Sequence, residues 1–449
     1  MGAISHTGLL RSFPVTAALV FGLTISVPVW GQQGCPSLPR ANGNTITVGP
    51  AQAASLRNIV ADADTGTTIL LLDGVYDMSH GDSTSRLVFS TPGVTLRSST
   101  GNPANVVLDG AYNTNELISI YASDVVIADV TLKRAYDHPI HISGLPGEPI
   151  ANILIHGVVV IDPGQQAIKI NANQNGYADY GTIECSRIQL TPQGRGQVRD
   201  GCYTGGIDAH KARGWTIRRN RIEGFWCQNG LSEHGIHFWS TSRDTLIEEN
   251  SIINCARGIG LGLRETSATR SYPDNPYPNA GYLGHIDGIV SNNFISAFDP
   301  ALLGSSSGFD VGIAMEQARG ARILHNTVGS TSAPYSSIEW RFANTSVEII
   351  NNLVTHNLRP RDGAFATTAT NLEYADSDWF LDLTAGELHL SPRASSPLNS
   401  GTVQNPVVVP FDIDHQLRDS QPDIGADEMG LPTLFRDGFE SGTLEEWLQ

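Results

Sequence analysis

The stretch GIDAHKARGWTIRRNRI, residues 206–222, sets the frame that the rest of the chain repeats. Its apolar positions are Ile207, Ala209, Ile217 and Ile222, with Asn220 between the last two. The frame returns at Ile236, Phe238, Ile247, Asn250 and Ile252, and at Ile313, Met315, Ile323, Asn326 and Val328. It returns again at Ile338, Trp340, Ile349, Asn352 and Val354, while Ile289, Asn292 and Phe294 fit its second half. In each copy an asparagine stands three residues after an aliphatic residue and two before another apolar one. Short period-2 runs broken by Gly, Asn, Ser or Asp read as strand, turn, strand. A unit this small has no way to bury its own apolar face and must stack on its neighbours. The pattern predicts an all-β chain wound as a single-stranded right-handed parallel β-helix, one repeat per coil.

Working outward, coils are expected from residue 46 to residue 428. A short helix over residues 51–61 would cap the open end. Two loops, residues 176–201 and 266–284, are expected to interrupt the coils and to wall a binding surface. The asparagines Asn220, Asn250, Asn292, Asn326 and Asn352 read as a turn ladder that satisfies backbone groups. Arg11 followed by the apolar run of residues 15–27 marks residues 1–31 as a signal peptide, and the run is too short for a membrane span. Residues 32–45 read as a leader and residues 429–449 as a C-terminal tail, a sorting or processing appendage.

The chain has 449 residues, 40% hydrophobic and 16% charged, a globular composition. Its 28 Lys and Arg against 45 Asp and Glu argue against a nucleic-acid partner. Export places it outside the cytoplasm: secreted, periplasmic or on the cell surface. A monomer is expected. Five cysteines are an odd number for an oxidising compartment. Cys227 with Cys255, and Cys185 with Cys202, are the expected pairs, with Cys35 left over. No Cys/His spacing suggests zinc.

A period-2 strand sends alternate side chains to opposite faces. With the aliphatic residues inward, the outward positions of successive coils are Ser119 and Tyr121, His141 and Ser143, Lys169 and Asn171, Asp208 and His210, His237 and Trp239, Gly260 and Gly262, Ala314 and Glu316, Glu339 and Arg341. Arg264 follows Gly262 in the same phase. Coils stack about 4.8 Å apart, so these residues form one ladder. Histidines, a lysine, an aspartate and a tryptophan on adjacent coils are not the Thr/Ser/Lys/Asn face of a merely solvated strand. The two glycines are expected to leave a dip for a sugar ring.

Over residues 46–428 the coil pattern resembles the pectate-lyase-like β-helix proteins, secreted polysaccharide lyases, epimerases and hydrolases. GIDAHKARGWTIRRNRI is similar to the alginate C5-epimerase coil with its Asp-Pro-His element, with Asp208 and His210 in place and Ala209 for the proline. The segment FDIDHQLRDSQPDIGADE, residues 411–428, resembles the closing segment of many such proteins. The resemblance implies an acidic, uronic-acid-containing polysaccharide as substrate.

Such polymers break by β-elimination: a base takes the C5 proton, a cation neutralises the carboxylate, and an acid protonates O4. Lys169, Asp208, His210, His237 and Arg264 are the candidate catalytic residues. Either Lys169, with a pKa depressed by neighbouring cations, or His210, oriented by Asp208, would be the base. His237 or Tyr121 would supply the acid proton and Trp239 would stack on a sugar. His141, Tyr121, Trp239, Glu316, Glu339 and Arg341 are candidate substrate-binding positions. Glu233 and His234 are expected to shape a turn. Glu316 and Glu339 offer a possible Ca2+ site, or the paired acids of a glycoside hydrolase. The reading is a secreted lyase, with a C5-epimerase, a hydrolase or a non-catalytic carbohydrate-binding surface protein as alternatives.

Overall fold

The computed structural model describes residues 35–41, 43–80, 85–266, 268–404 and 408–430, together with Gly2. The expected signal peptide, apart from Gly2, and residues 431–449 of the tail lie outside the described residues. The chain is a right-handed parallel β-helix. Three long sheets of 14, 10 and 10 strands run its length. The chain visits them in turn: Leu154–His156, Val159–Ile161 and Gln166–Ile170 make one coil, then Thr182–Glu184, Arg187–Gln189 and Gly205–His210 make the next. Strand pairing between coils is parallel throughout, for example Ile155 with Ile183 and Ile183 with Ile217. No helix among the described residues is long and apolar enough to cross a membrane.

The inward residues of the repeat fill the solenoid. Ile207, Ala209, Ile217, Ile222, Ile236, Phe238, Ile247 and Ile252 all belong to one continuous buried cluster. At the N-terminal end, the helix Ala53–Ala61 follows a 3-10 turn at Pro50–Gln52 and buries Leu56 and Val60 against that cluster. At the other end, Phe380, Leu383, Leu388, Ile424 and Ala426 form a second core. Arg418 ties residues 411–428 down through Glu428 at 2.9 Å and Asn292 at 2.9 Å.

The asparagine ladder stands inside the turns. Asn220 donates to Asn250 at 3.0 Å, Asn250 to Asn293 at 3.0 Å, Asn293 to Asn326 at 2.9 Å and Asn326 to Asn352 at 3.0 Å. Each also donates to a backbone carbonyl of the preceding coil, as Asn250 does to Ile217. The residues just before them, Arg219, Glu249, Asn292, His325 and Asn351, are all left-handed at φ between 51° and 60°. The side-chain bonds hold the turn where an ordinary residue would resist that conformation. The third rung is Asn293, not Asn292. Val290 pairs with Ile247 and faces the core, so the repeat there is shifted by one residue. Replacing Asn250 with alanine leaves buried amide groups of two coils without partners and should cost about 2–3 kcal/mol. A denaturant midpoint that barely moves would show the ladder to be incidental.

Residues 176–201 are not one loop. They contain Ala178–Asp179, Thr182–Glu184 and Arg187–Gln189, and only the stretch after Leu190 leaves the coil. Three-residue strands with one inward side chain, Ile183 or Ile188, are too short to show a period. The disulfides also differ from expectation: Cys35 pairs with Cys185 and Cys202 with Cys227, leaving Cys255 buried and free. Cys255 follows the asparagine ladder into the core, where its thiol packs against backbone carbonyls of Ile222 and Ile253. Two disulfides accord with maturation in an oxidising compartment.

Candidate active site

Three neighbouring strands of one sheet carry the site: Gln166–Ile170, Gly205–His210 and Ile236–Trp239. Their register aligns Lys169 with Asp208 and Asp208 with His237, and His210 with Trp239. Ile168, Ile170, Ile207, Ala209, Ile236 and Phe238 are buried inside. Alternation therefore sends the polar set outward.

The outer face is nevertheless well covered. The side chains of Lys169 and Asp208 are 6% and 2% exposed, whereas His210 is 17% exposed and opens to the surface. Part of the cover is Tyr203, which lies next to the Cys202–Cys227 link. Lys169 Nζ bonds Asp208 Oδ2, Tyr203 Oη at 3.2 Å and His210 Nε2 at 3.0 Å, so all three of its N–H donors are taken. Asp208 Oδ1 accepts from Trp239 Nε1 at 2.7 Å. The His210 ring meets the Trp239 ring edge-on at 4.2 Å.

These contacts set the charges. Burial alone would lower the Lys169 pKa, but the Asp208 charge and the bonds to Asp208 and Tyr203 hold it above the usual lysine value. Burial would raise Asp208; the adjacent charge of Lys169 holds it well below the carboxylate range. His210 is lowered, first by burial and then by the charge of Lys169, against the pull of Asp208. The resting site is an ammonium, a carboxylate and a neutral imidazole. This corrects the expectation of a Lys169 with a depressed pKa: its nearest charge is a carboxylate, not a cation.

Other candidates are placed differently. His237 is fully buried and its Nε2 bonds the Gly262 carbonyl at 3.0 Å, so it does not reach a substrate as an acid. Its ring stacks under Trp239, 5.5 Å away and nearly parallel. Tyr121 continues the strand Glu116–Ile120, two coils before Lys169 and about 10 Å along the sheet. Arg264 lies beyond the strand Arg257–Gly262, where Gly262 turns left-handed at φ 79°, and it is exposed; the alternation that placed it in the groove ends there. His141, one coil before Lys169, is held by Glu116, whose carboxyl falls to about 2 because bonding and charge from His141 outweigh burial.

There is no dip at the glycines. A Cβ on Gly260 would lie 2.8 Å from the His234 ring, and one on Gly262 would meet the Glu316 carbonyl. The imidazole of His234 fills the space expected for a sugar, so Glu233 and His234 do more than shape a turn. Further along the same face, His234, Arg257, Asp310, Glu316, Tyr335, Glu339, Arg341 and Arg361 line a cavity of about 340 Å³. Glu339 is bound by Arg361 at 3.0 Å, Arg341 by Asp362 at 2.9 Å, and Glu316 lies 3.8 Å from Arg341. Arginines stand where calcium would need further oxygens, so Glu316 and Glu339 do not fit that ion.

Tyr203 was invisible to strand periodicity, since it sits in a connection; its only sequence signal is the adjacent Cys202.

No protein-family model and no curated protein matches the chain. Among solved structures, an alginate lyase from Paenibacillus sp. str. FPU-7 is similar at a TM-score of 0.50 and 15% identity, covering 73% of this chain and 99% of that one. Pectate lyase Pel9A matches at 0.46 and 12%, covering 88% and 98%. The A-module of a mannuronan C-5 epimerase from Azotobacter vinelandii matches at 0.43 and 14%, covering 75% and 96%. At these identities the likeness is one of fold.

Proposed function

We propose that the protein is a secreted lyase that cleaves a uronic-acid polysaccharide by β-elimination at the Lys169–Asp208–His210–Tyr203 cluster. The single observation that carries this is the contact of the His210 imidazole with the Lys169 ammonium beside the Tyr203 phenol. C5–H abstraction needs a base next to positive charge. In the free protein the third N–H of Lys169 occupies His210 Nε2. A substrate carboxylate is the stronger acceptor, because its bond to the ammonium is charge-assisted. It draws that N–H away and frees the lone pair of Nε2.

His210 then takes the C5 proton while Lys169 neutralises the carboxylate. The C5–H electron pair becomes the C4=C5 double bond, the C4–O4 bond breaks, and Tyr203 protonates O4. Asp208 keeps Lys169 charged, and Trp239 presents its ring beside His210. A second reading, C5-epimerisation, shares the first step. It is favoured by the Asp208-x-His210 element and by two proton carriers, His210 and Tyr203, on one ammonium.

Purified protein incubated with alginate, polygalacturonate and other polyuronates tests the reading. Ultraviolet absorbance from the new double bond supports elimination. Deuterium uptake at C5 without absorbance supports epimerisation. Reducing ends without absorbance, or binding without turnover, sink both. Alginate comes first, since the Paenibacillus structure is an alginate lyase.

The pH profile should follow His210. Because its pKa is lowered, kcat/KM should stay high as pH falls through the ordinary imidazole value and drop only below it. An acid limb centred above about 6.5 would exclude His210 as the base.

A further inference from the structure

We infer that Glu233, His234 and His237, in the run EHGIH of residues 233–237, form a binding site for a divalent transition-metal ion of the zinc type. The ligand atoms of the three side chains lie within 4.8 Å of one another. His234 is 3% exposed, and neither of its ring nitrogens has a hydrogen-bond partner. A buried polar group left bare is costly, and a neutral imidazole always carries one donor and one lone pair to satisfy. Its neighbour shows the same deficit on the same side. His237 donates Nε2–H to the Gly262 carbonyl, and its buried Nδ1 makes no well-aligned hydrogen bond and faces the Glu233 carboxylate. An outer N–H bonded to a backbone carbonyl is how metal-binding histidines are oriented.

The spacing fits. Glu233 Oε2 stands 3.3 Å from His237 Nδ1. Two ligands on one tetrahedral zinc, with bonds of about 2.0–2.1 Å, are about 3.3–3.4 Å apart. The rings of His234 and His237 are 4.5 Å apart at 47°, face to neither stack nor edge, which lets one nitrogen of each turn to a common point. Asp208 Oδ1, 3.9 Å from His237 Nδ1, adds negative charge behind the site. The nearby Arg257 is already paired with Asp310 at 2.8 Å. His234 also lines the cavity.

The other cluster of this composition lacks these features. His389 in the group with Asp414 and Asp427 has both ring nitrogens bonded, to Glu387 and to Asp414 at 3.0 Å, and serves as an ion-pair centre.

The test uses the whole protein stripped with a chelator and dialysed. CoCl2 should bind one equivalent and give the intense visible bands of a tetrahedral ion; ZnCl2 should displace it and raise the melting temperature; CaCl2 should do neither. His234→Ala and Glu233→Gln should each weaken zinc binding at least tenfold, and Asp414→Asn should leave it unchanged. Circular dichroism checks that each variant folds, and the wild-type titration decides even where one does not. Absence of saturable cobalt or zinc binding by the wild-type protein overturns the assignment, as does binding that survives both variants or is lost in Asp414→Asn. The readout is binding alone, so it stands or falls separately from polysaccharide cleavage.

Discussion

His210→Ala is expected to lower kcat/KM on the best polyuronate by about three orders of magnitude, with the protein still folded. A positioned general base contributes about 10²–10⁴. The side chain is more open than Lys169 or Asp208, so its removal empties no tight core space. It also removes one acceptor from Lys169, whose remaining partners, Asp208 and Tyr203, keep it charged. The loss should therefore fall on kcat rather than on binding of the carboxylate. His210→Gln, which keeps an acceptor for Lys169 without a titrating nitrogen, should be as inactive as alanine. If the glutamine variant keeps near-normal turnover, the proton goes elsewhere and the proposed base is wrong.

Lys169→Met should abolish turnover and also weaken the fold, by about 3–5 kcal/mol, because it strands a buried carboxylate. Asp208 is 1% exposed and depends on Lys169 for its charge. In the variant the Asp208 carboxyl would have a raised pKa. A raised carboxyl favours folding once protonated, so the deficit should shrink as pH falls. Adding Asp208→Asn to Lys169→Met should return most of the lost stability and none of the activity. Denaturant unfolding of both single variants and the double variant measures this directly. Full additivity of the two single losses would show that the pair is not coupled, and with it the idea that Asp208 holds the ammonium charged.

Much of this was legible in the residues alone, and the reason differs from place to place. Lys169, Asp208, His210, His237 and Trp239 could be set on one face because alternation along a strand is local covalent geometry. The aliphatic partners left no choice of phase. The rungs Asn220, Asn250, Asn326 and Asn352 could be found because the turn demands an asparagine at a constant offset. That rule slipped at Asn292, where two adjacent asparagines and two aliphatic residues, Ile289 and Val290, allow both frames; stacking Val290 on Ile247 chose Asn293. Arg264 was misplaced for the complementary reason, since alternation says nothing past the residue where a strand ends.

What the chain determined by itself, then, was the coil, its phase and the set of side chains on the outer ladder, all consequences of neighbours within a few residues. Only the tertiary structure decided that Tyr203 joins Lys169, that Cys202 pairs with Cys227, that His234 occupies the space over Gly260, and which groups are charged. Each of these depends on loops from different coils meeting in space and excluding water. Proton affinity and hydrogen-bond partnership follow from that burial and have no expression in spacing along the chain.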